Sequence, residues 1–226
     1  MKVSLTSPVS VPLMLLLFVI IGNGAHAQTT PRIFFAQAPA LLIQIDGEPV
    51  YRPIEDAKLD RLVNTQAVIV RDRAGVHYLK VLDGWMEAYG LTGRWSVSGV
   101  SPLAFNLDLL SPSASAAAFL ESSNSFDDPG RILHANPPAI YVSMTASVLI
   151  VTNGPPRYET IRGTSLKRLV NTATTVFKEP TDDELYVLVV DRWFRSWTTV
   201  GSWEFVPSDQ LPSDIARQVT LEASQK

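Results

Sequence analysis

From residue 31 onward the chain is a succession of short apolar runs broken by turn-forming stretches. "ALLIQI" (40–45) and "VLIVT" (148–152) are aliphatic and β-branched, and they stop at "DGEP" and "NGPP", which carry turn chemistry. "AVIVRD" (67–72) and "TTVFKE" (174–179) read as the next strands. "VHYLKVL" (76–82) and "LYVLVV" (185–190) follow after the turns "RAG" and "PTDD". "WMEAY" (85–89) and "WFRSW" (193–197) come next, each before a Gly-containing turn. Strands so closely spaced predict antiparallel meanders, because parallel pairs need long crossovers. Between these regions, "SASAAAFLESS" predicts a short helix with a serine cap, and "PSDQLPSDIARQVTLEASQK" predicts another at the end.

The runs come in matched pairs. A shift of 107 superposes Ile33 on Ile140, Gly47 on Gly154, Pro49 on Pro156, Tyr51 on Tyr158 and "RLVNT" at 61–65 on "RLVNT" at 168–172. With one inserted residue, Tyr78 meets Tyr186, Asp83 meets Asp191, Trp85 meets Trp193, Gly93 meets Gly201 and Trp95 meets Trp203. Two repeat units therefore span 31–99 and 138–207. The expected architecture is all-β: two tandem antiparallel meander units, each a small sheet or half-open barrel, with a linker helix within 100–137 and a C-terminal helix within 208–226. The Ser/Ala/Asp composition between the units predicts two separately packed bodies joined by a protease-sensitive stretch near 111–128.

Composition adds a compartment. Lys2, the apolar run "LMLLLFVIIG" (13–22) and "AHA" (25–27) have the order of a secretory signal, which predicts cleavage after Ala27 and a secreted or periplasmic protein. The alternative is an uncleaved anchor; no later stretch is long and apolar enough to span a membrane. Residues 1–27 contain one charged residue, Lys2, so cleavage moves the net charge from −3 to −4. This mild acidity gives no reason to expect nucleic-acid binding. The chain has no cysteine, which rules out disulfides and thiolate metal sites and leaves stability to the core.

No catalytic motif stands out. His77 and His134 lack metal-ligand spacing, and no cofactor is expected. Asp182, Asp183 and Glu184 read as a solvated loop, and Asp83 and Asp191 as acids at strand-end turns. The protein is expected not to be an enzyme, with a hydrolase using an unrecognised carboxylate pair as a third reading. In "RLVNT", Asn64/Thr65 and Asn171/Thr172 are expected to close turns through side-chain hydrogen bonds, and Arg61 and Arg168 to cover sheet surface.

The aromatics divide into two groups. Trp85/Trp193, Trp95/Trp203, Tyr51/Tyr158 and Tyr78/Tyr186 recur in both units, as core rings would. Phe194 matches Met86, and Trp197 matches Tyr89. Strand alternation puts Trp193, Arg195 and Trp197 on one face. If Trp193 points inward, Trp197 lies at the margin of the core. There it either stacks on the apolar face of a sugar, beside Arg195 and Ser196, or else caps the sheet or packs on the linker helix. The candidate ligand residues are Trp197, Arg195, Phe194 and Tyr89.

"RGTSLKRLVNT", "DRWFRSWTTVGSWEFVPSDQLPSDIA" and "VLIVTNGPPRYETI" carry a resemblance. The chain resembles secreted bacterial proteins with "GRWF…GPW" repeats, which are likened to carbohydrate-binding family V/XII modules. The likeness covers most of 31–220 and is close in the second unit. The first unit lacks the Arg-Trp-Phe triplet; the second has Asp191 for the glycine, Trp197 for the usual proline and Ser202 for the proline of "GPW". The resemblance implies a non-catalytic binding module, with a polysaccharide or peptidoglycan as partner. The alternative is a structural or assembly protein that binds another envelope protein.

Overall fold

A computed structural model describes residues 30–55, 57–82, 84–102 and 131–223. The fold is all-β. In the first unit, β3 (Tyr51–Pro53), β4 (Leu59–Leu62), β5 (Ile69–Asp72), β6 (His77–Val81), β7 (Gly84–Ala88) and β8 (Ser96–Val97) form a six-stranded antiparallel meander. The second unit repeats it with β11 (Tyr158–Thr160), β12 (Lys167–Leu169), β13 (Val176–Lys178), β14 (Leu185–Val189), β15 (Arg192–Ser196) and β16 (Glu204–Val206). A short 3-10 turn at Ser208–Gln210 leads into the C-terminal helix Ser213–Ala223, which the sequence predicts. The linker helix expected at "SASAAAFLESS" lies outside the described residues. A different short helix, α1 (Arg131–Ala135), precedes the second unit; the C-terminal helix is α2.

The units are not separately packed, because each lends a strand to the other. Ahead of the meanders stand β1 (Arg32–Ala36) and β2 (Ala40–Gln44) in the first repeat, and β9 (Ala139–Ser143) and β10 (Ser147–Val151) in the second. β1 pairs in parallel with β10, and β2 pairs in parallel with β9. These parallel pairs depart from the purely antiparallel expectation. Their crossover is a whole unit plus the linker, a connection that local strand spacing does not reveal. The exchange is reciprocal. Arg32 faces Ser147, and its repeat-equivalent Ala139 faces Ala40, the equivalent of Ser147. Thr152 N–H donates to Ala36 O at 2.8 Å and Ile45 N–H to Ser143 O at 2.9 Å, again an equivalent pair. Phe34 and Tyr141, one shift apart in sequence, meet ring to ring at 5.0 Å. Such self-contact is the mark of a two-fold relation.

This exchange builds the cores. Ile33 of β1 joins Val148 and Ile150 of β10 against Leu169, Val176, Val187 and Phe194 of the second sheet. Phe35 stacks on Trp203 at 5.8 Å. The first sheet receives Val142 of β9 and Leu133 of α1 against Leu62, Ile69, Leu79 and Met86. The opposite face of the second sheet is covered by α2, whose Ile215 packs on Phe177, Tyr186 and Trp193. All four repeated tryptophans are buried, as expected. Tyr51, Tyr78 and Tyr158 are only half-buried and so differ from Tyr186. Their rings sit at polar margins. Tyr51 and Tyr158 lie under the cations of Arg71 and Lys178, at 3.8 and 5.8 Å, and the Tyr78 hydroxyl reaches Asp72.

The "RLVNT" asparagines close turns as expected. Asn171 Nδ2 donates to the carbonyls of Asn153 and Pro155, and its Oδ1 accepts from Arg157 N–H. Asn64 makes the same three bonds to Asp46, Glu48 and Val50. Each side chain thus pins the preceding glycine turn, where Gly47 and Gly154 take φ of 76° and 77°.

Candidate functional site

The site grows from three adjacent strands. The register of β14, β15 and β16 aligns Tyr186, Arg195 and Glu204 in one row. Their side chains lie on the face that α2 covers at Trp193. The Arg195 guanidinium stands 3.2 Å from Glu204 Oε2 through Nη2 and 3.7 Å from Glu184 Oε1 through Nε. Glu204 and Glu184 together push its pKa further up. Glu184 is only 3% exposed, so it is not the solvated loop residue that the sequence suggests. Its Oε2 accepts from the Tyr186 hydroxyl at 2.5 Å, and its Oε1 has no hydrogen-bond partner. Burial, then the bond to Glu184, pushes the Tyr186 phenol well above its ordinary range.

Trp197 follows β15 on the same face and is 64% exposed. Trp193, four residues earlier, is stacked on Phe177 and sealed with Ile215 of α2. The helix covers one end of the strand and leaves the other open. The loop from Trp197 to Trp203 is tight. A Cβ on Gly201 would lie 2.8 Å from Thr198 Oγ1 and 3.0 Å from Ser196 Oγ. Val200, at the loop tip, is exposed.

Phe194 is a correction. It is 1% exposed, packs edge-on against Phe205 at 6.0 Å and belongs to the second unit's core. Its parity on β15 places it on the face opposite Arg195, so it does not join the ligand surface. Tyr89, the counterpart of Trp197, is 90% exposed. The row beside it reads Tyr78, Glu87 and Ser96, so a carboxylate stands where the second unit has a guanidinium. Ser98 Oγ donates to Glu87 at 2.6 Å. The two units thus keep an exposed ring in the same place with different polar neighbours.

A cavity of about 340 Å³ opens on the same face of the second sheet. Leu166 and Tyr186 floor it, and Glu179, Asp182 and Asp214 line its walls. Sequence reasoning missed Glu184, Tyr186 and Glu204 as site residues. Alternation along β14 places Glu184 and Tyr186 on one face, which is the signal that points to them.

Other chemistry is sparse. Among the described residues no group of three or more His, Cys, Asp or Glu is placed to hold a metal ion. His77 is buried and bonded through Nε2 to the Tyr51 hydroxyl at 2.8 Å, and His134 is exposed in α1. Asp183 pairs with Lys178 at 2.8 Å, and Asp182 Oδ1 accepts from Glu184 N–H. No helix among the described residues is long and apolar enough to cross a membrane. No family model, curated protein or solved structure matches the chain.

Proposed function

We propose that the chain is a secreted, non-catalytic binding module that holds a cell-envelope glycan, a polysaccharide or peptidoglycan, on the exposed ring of Trp197. The supporting observation is a contrast between repeat-equivalent aromatics. Trp85/Trp193 and Trp95/Trp203 are sealed in both units, whereas Tyr89 and Trp197 are exposed in both at 90% and 64%. An indole held at a rigid strand end offers a flat apolar platform, and the Arg195 guanidinium beside it supplies donors to hydroxyl oxygens. The resemblance to repeats likened to carbohydrate-binding modules and the signal-like residues 1–27 point the same way.

A second reading is docking on an envelope protein. It is favoured by Val200, 92% exposed at the tip of the loop that follows Trp197, which extends the apolar surface beyond one ring. The test is retention of residues 28–226 on insoluble chitin, cellulose and peptidoglycan, with Trp197→Ala alongside. The glycan reading expects retention on at least one solid that the variant loses. Equal behaviour of the two proteins on all three solids favours the protein partner.

A further inference from the structure

We propose that Asn153 is a site of spontaneous deamidation, with the backbone nitrogen of Gly154 as nucleophile and the side chain of Asn171 as the clamp that sets the rate. The proposal is independent of any ligand.

Asn153 and Gly154 lie in the turn between β10 and β11. Asn153 is exposed, and its side-chain amide makes no hydrogen bond to any described residue. Asn64 and Asn171, in contrast, are each held by three. The Gly154 N–H has no acceptor among the described residues, and a Cβ built on this glycine would meet nothing within 4 Å. Gly154 takes a φ of 77° and has no side chain to crowd its nitrogen. Electrophile and nucleophile are therefore adjacent, unpartnered and open to water. The remaining asparagine among the described residues, Asn136, precedes Pro137 and faces a nitrogen that carries no hydrogen.

Once base removes its proton, the Gly154 nitrogen attacks Asn153 Cγ. A C–N bond forms, the Cγ–Nδ2 bond breaks, and the side-chain nitrogen takes up a proton and leaves as ammonia. Water then opens the cyclic imide. Opening at Cγ gives aspartate, and opening at the main-chain carbonyl gives isoaspartate, in which the chain runs through the side-chain carbon. The sum is amide plus water to acid plus ammonia, with nothing oxidised or reduced.

The clamp holds the peptide that must rotate for the ring to close. Asn171 Nδ2 donates to Asn153 O at 2.9 Å and to Pro155 O at 2.8 Å, and Asn153 N–H donates to Asn171 O at 2.9 Å. The first unit shows what the aspartate product does. Its equivalent residues are Asp46 and Gly47, and Asn64 Nδ2 donates to Asp46 O at 2.8 Å and to Glu48 O at 2.7 Å. An aspartate thus fits this turn with the clamp intact. Isoaspartate lengthens the main chain by a carbon between the clamped groups, so the bonds cannot all be kept. β10 carries the strand exchange into this turn, and loss of the clamp loosens the join between the exchanged pair and the second sheet.

The test is peptide mapping by mass spectrometry of residues 28–226, held folded in mildly alkaline buffer. This length leaves out the other Asn-Gly pair, at 23–24. The peptide holding Asn153 is expected to gain the mass of an acid and to split into two chromatographic forms, while the peptides of Asn64, Asn136 and Asn171 stay amides. Asn171→Ala speeds the conversion by about tenfold, the size expected for releasing one hydrogen bond. Asn64→Ala removes the same three bonds from the first unit and leaves the rate at Asn153 unchanged. Asn153→Asp melts with the parent, whereas aged parent melts lower as its isoaspartate accumulates. An intact Asn153 after Asn64 or Asn171 has converted overturns the proposal. Equal acceleration by Asn171→Ala and Asn64→Ala overturns the role of the clamp, because it assigns the rate to general loosening of the fold.

Discussion

Trp193 and Trp197 lie four residues apart on one strand face, yet their substitution by alanine should have different consequences. Trp193 is 3% exposed between Phe177 and α2, and Trp203 is 6% exposed under Phe35. Truncating either costs about 3–5 kcal/mol, a large part of the roughly 5–15 kcal/mol that holds such a chain. Trp197→Ala removes a ring that is mostly in water and costs about 1 kcal/mol. Thermal melts should show Trp193→Ala and Trp203→Ala losing the fold far below the parent, with Trp197→Ala near it. A Trp197→Ala melt as early as that of Trp193→Ala would make the exposed ring structural. At the same scale, His77 predicts a pH response. Burial, then Arg71, lowers its pKa, so the folded state prefers the neutral ring, whose Nε2 is bonded to the Tyr51 hydroxyl. The unfolded chain takes up the proton near pH 6.5, so this contribution is present above that pH and is lost as pH falls below it. Denaturant midpoints should decline between pH 7 and 5 in the parent and more shallowly in His77→Gln. Equal slopes would show that His77 does not titrate against the fold.

At the scale of elements, the strands from residue 67 to 90 and from 174 to 197 were legible because their apolar runs end in recognisable turns. β1 and β9 are harder to read as strands from sequence, although "RIFFA" and "AIYVS" sit inside the repeat. Their pairing was out of reach for a physical reason. Hydrogen-bond partners more than 100 residues apart leave no local pattern, and periodicity reports burial without naming the covering surface. The Trp197 margin was legible from alternation, as was the shared face of Arg195. The same rule excludes Phe194, whose opposite parity puts it in the core. The β14–β15 turn shows a local choice at odds with its geometry. Val189 pairs with Arg192, so Val190 and Asp191 form a two-residue loop, with φ of 47° and 59°. Both angles are left-handed, as a type I′ turn requires, and a β-branched residue is the poorest occupant. Val190 is half exposed and packs in none of the buried clusters. Val190→Asn should therefore stabilise the chain by about 1 kcal/mol, within the strain expected of such a residue. An unchanged or lowered melting temperature would show that the valine contributes a contact worth more than the strain.

For the whole molecule, the reciprocal strand exchange makes the two repeats mutual parts of one fold. Ile33 belongs to the first repeat in sequence and to the second unit's core in space, where it is 5% exposed. Val142 does the reverse. The expectation of two independent bodies therefore gives way to a different prediction for chain cleavage. A protease site introduced between Ser111 and Asp128, once cut, should yield two fragments that stay together as a one-to-one complex under native conditions. Each fragment alone lacks the parallel strand that covers its inner sheet face, so neither buries its core without the other. Cutting also turns an intramolecular closure into a bimolecular one. The cut protein should accordingly unfold in a single transition that moves to lower denaturant on dilution, while the intact chain shows no concentration dependence. Ile33→Ala, costing about 2–5 kcal/mol, should weaken this complex and perturb the aromatic circular dichroism of Trp203, although the substitution lies in the other repeat. The measurement is size exclusion with mass detection on cut parent and cut variant. A folded fragment near 138–226 that elutes alone, with Trp203 in its native environment, would mean that β1 is dispensable to the core it enters.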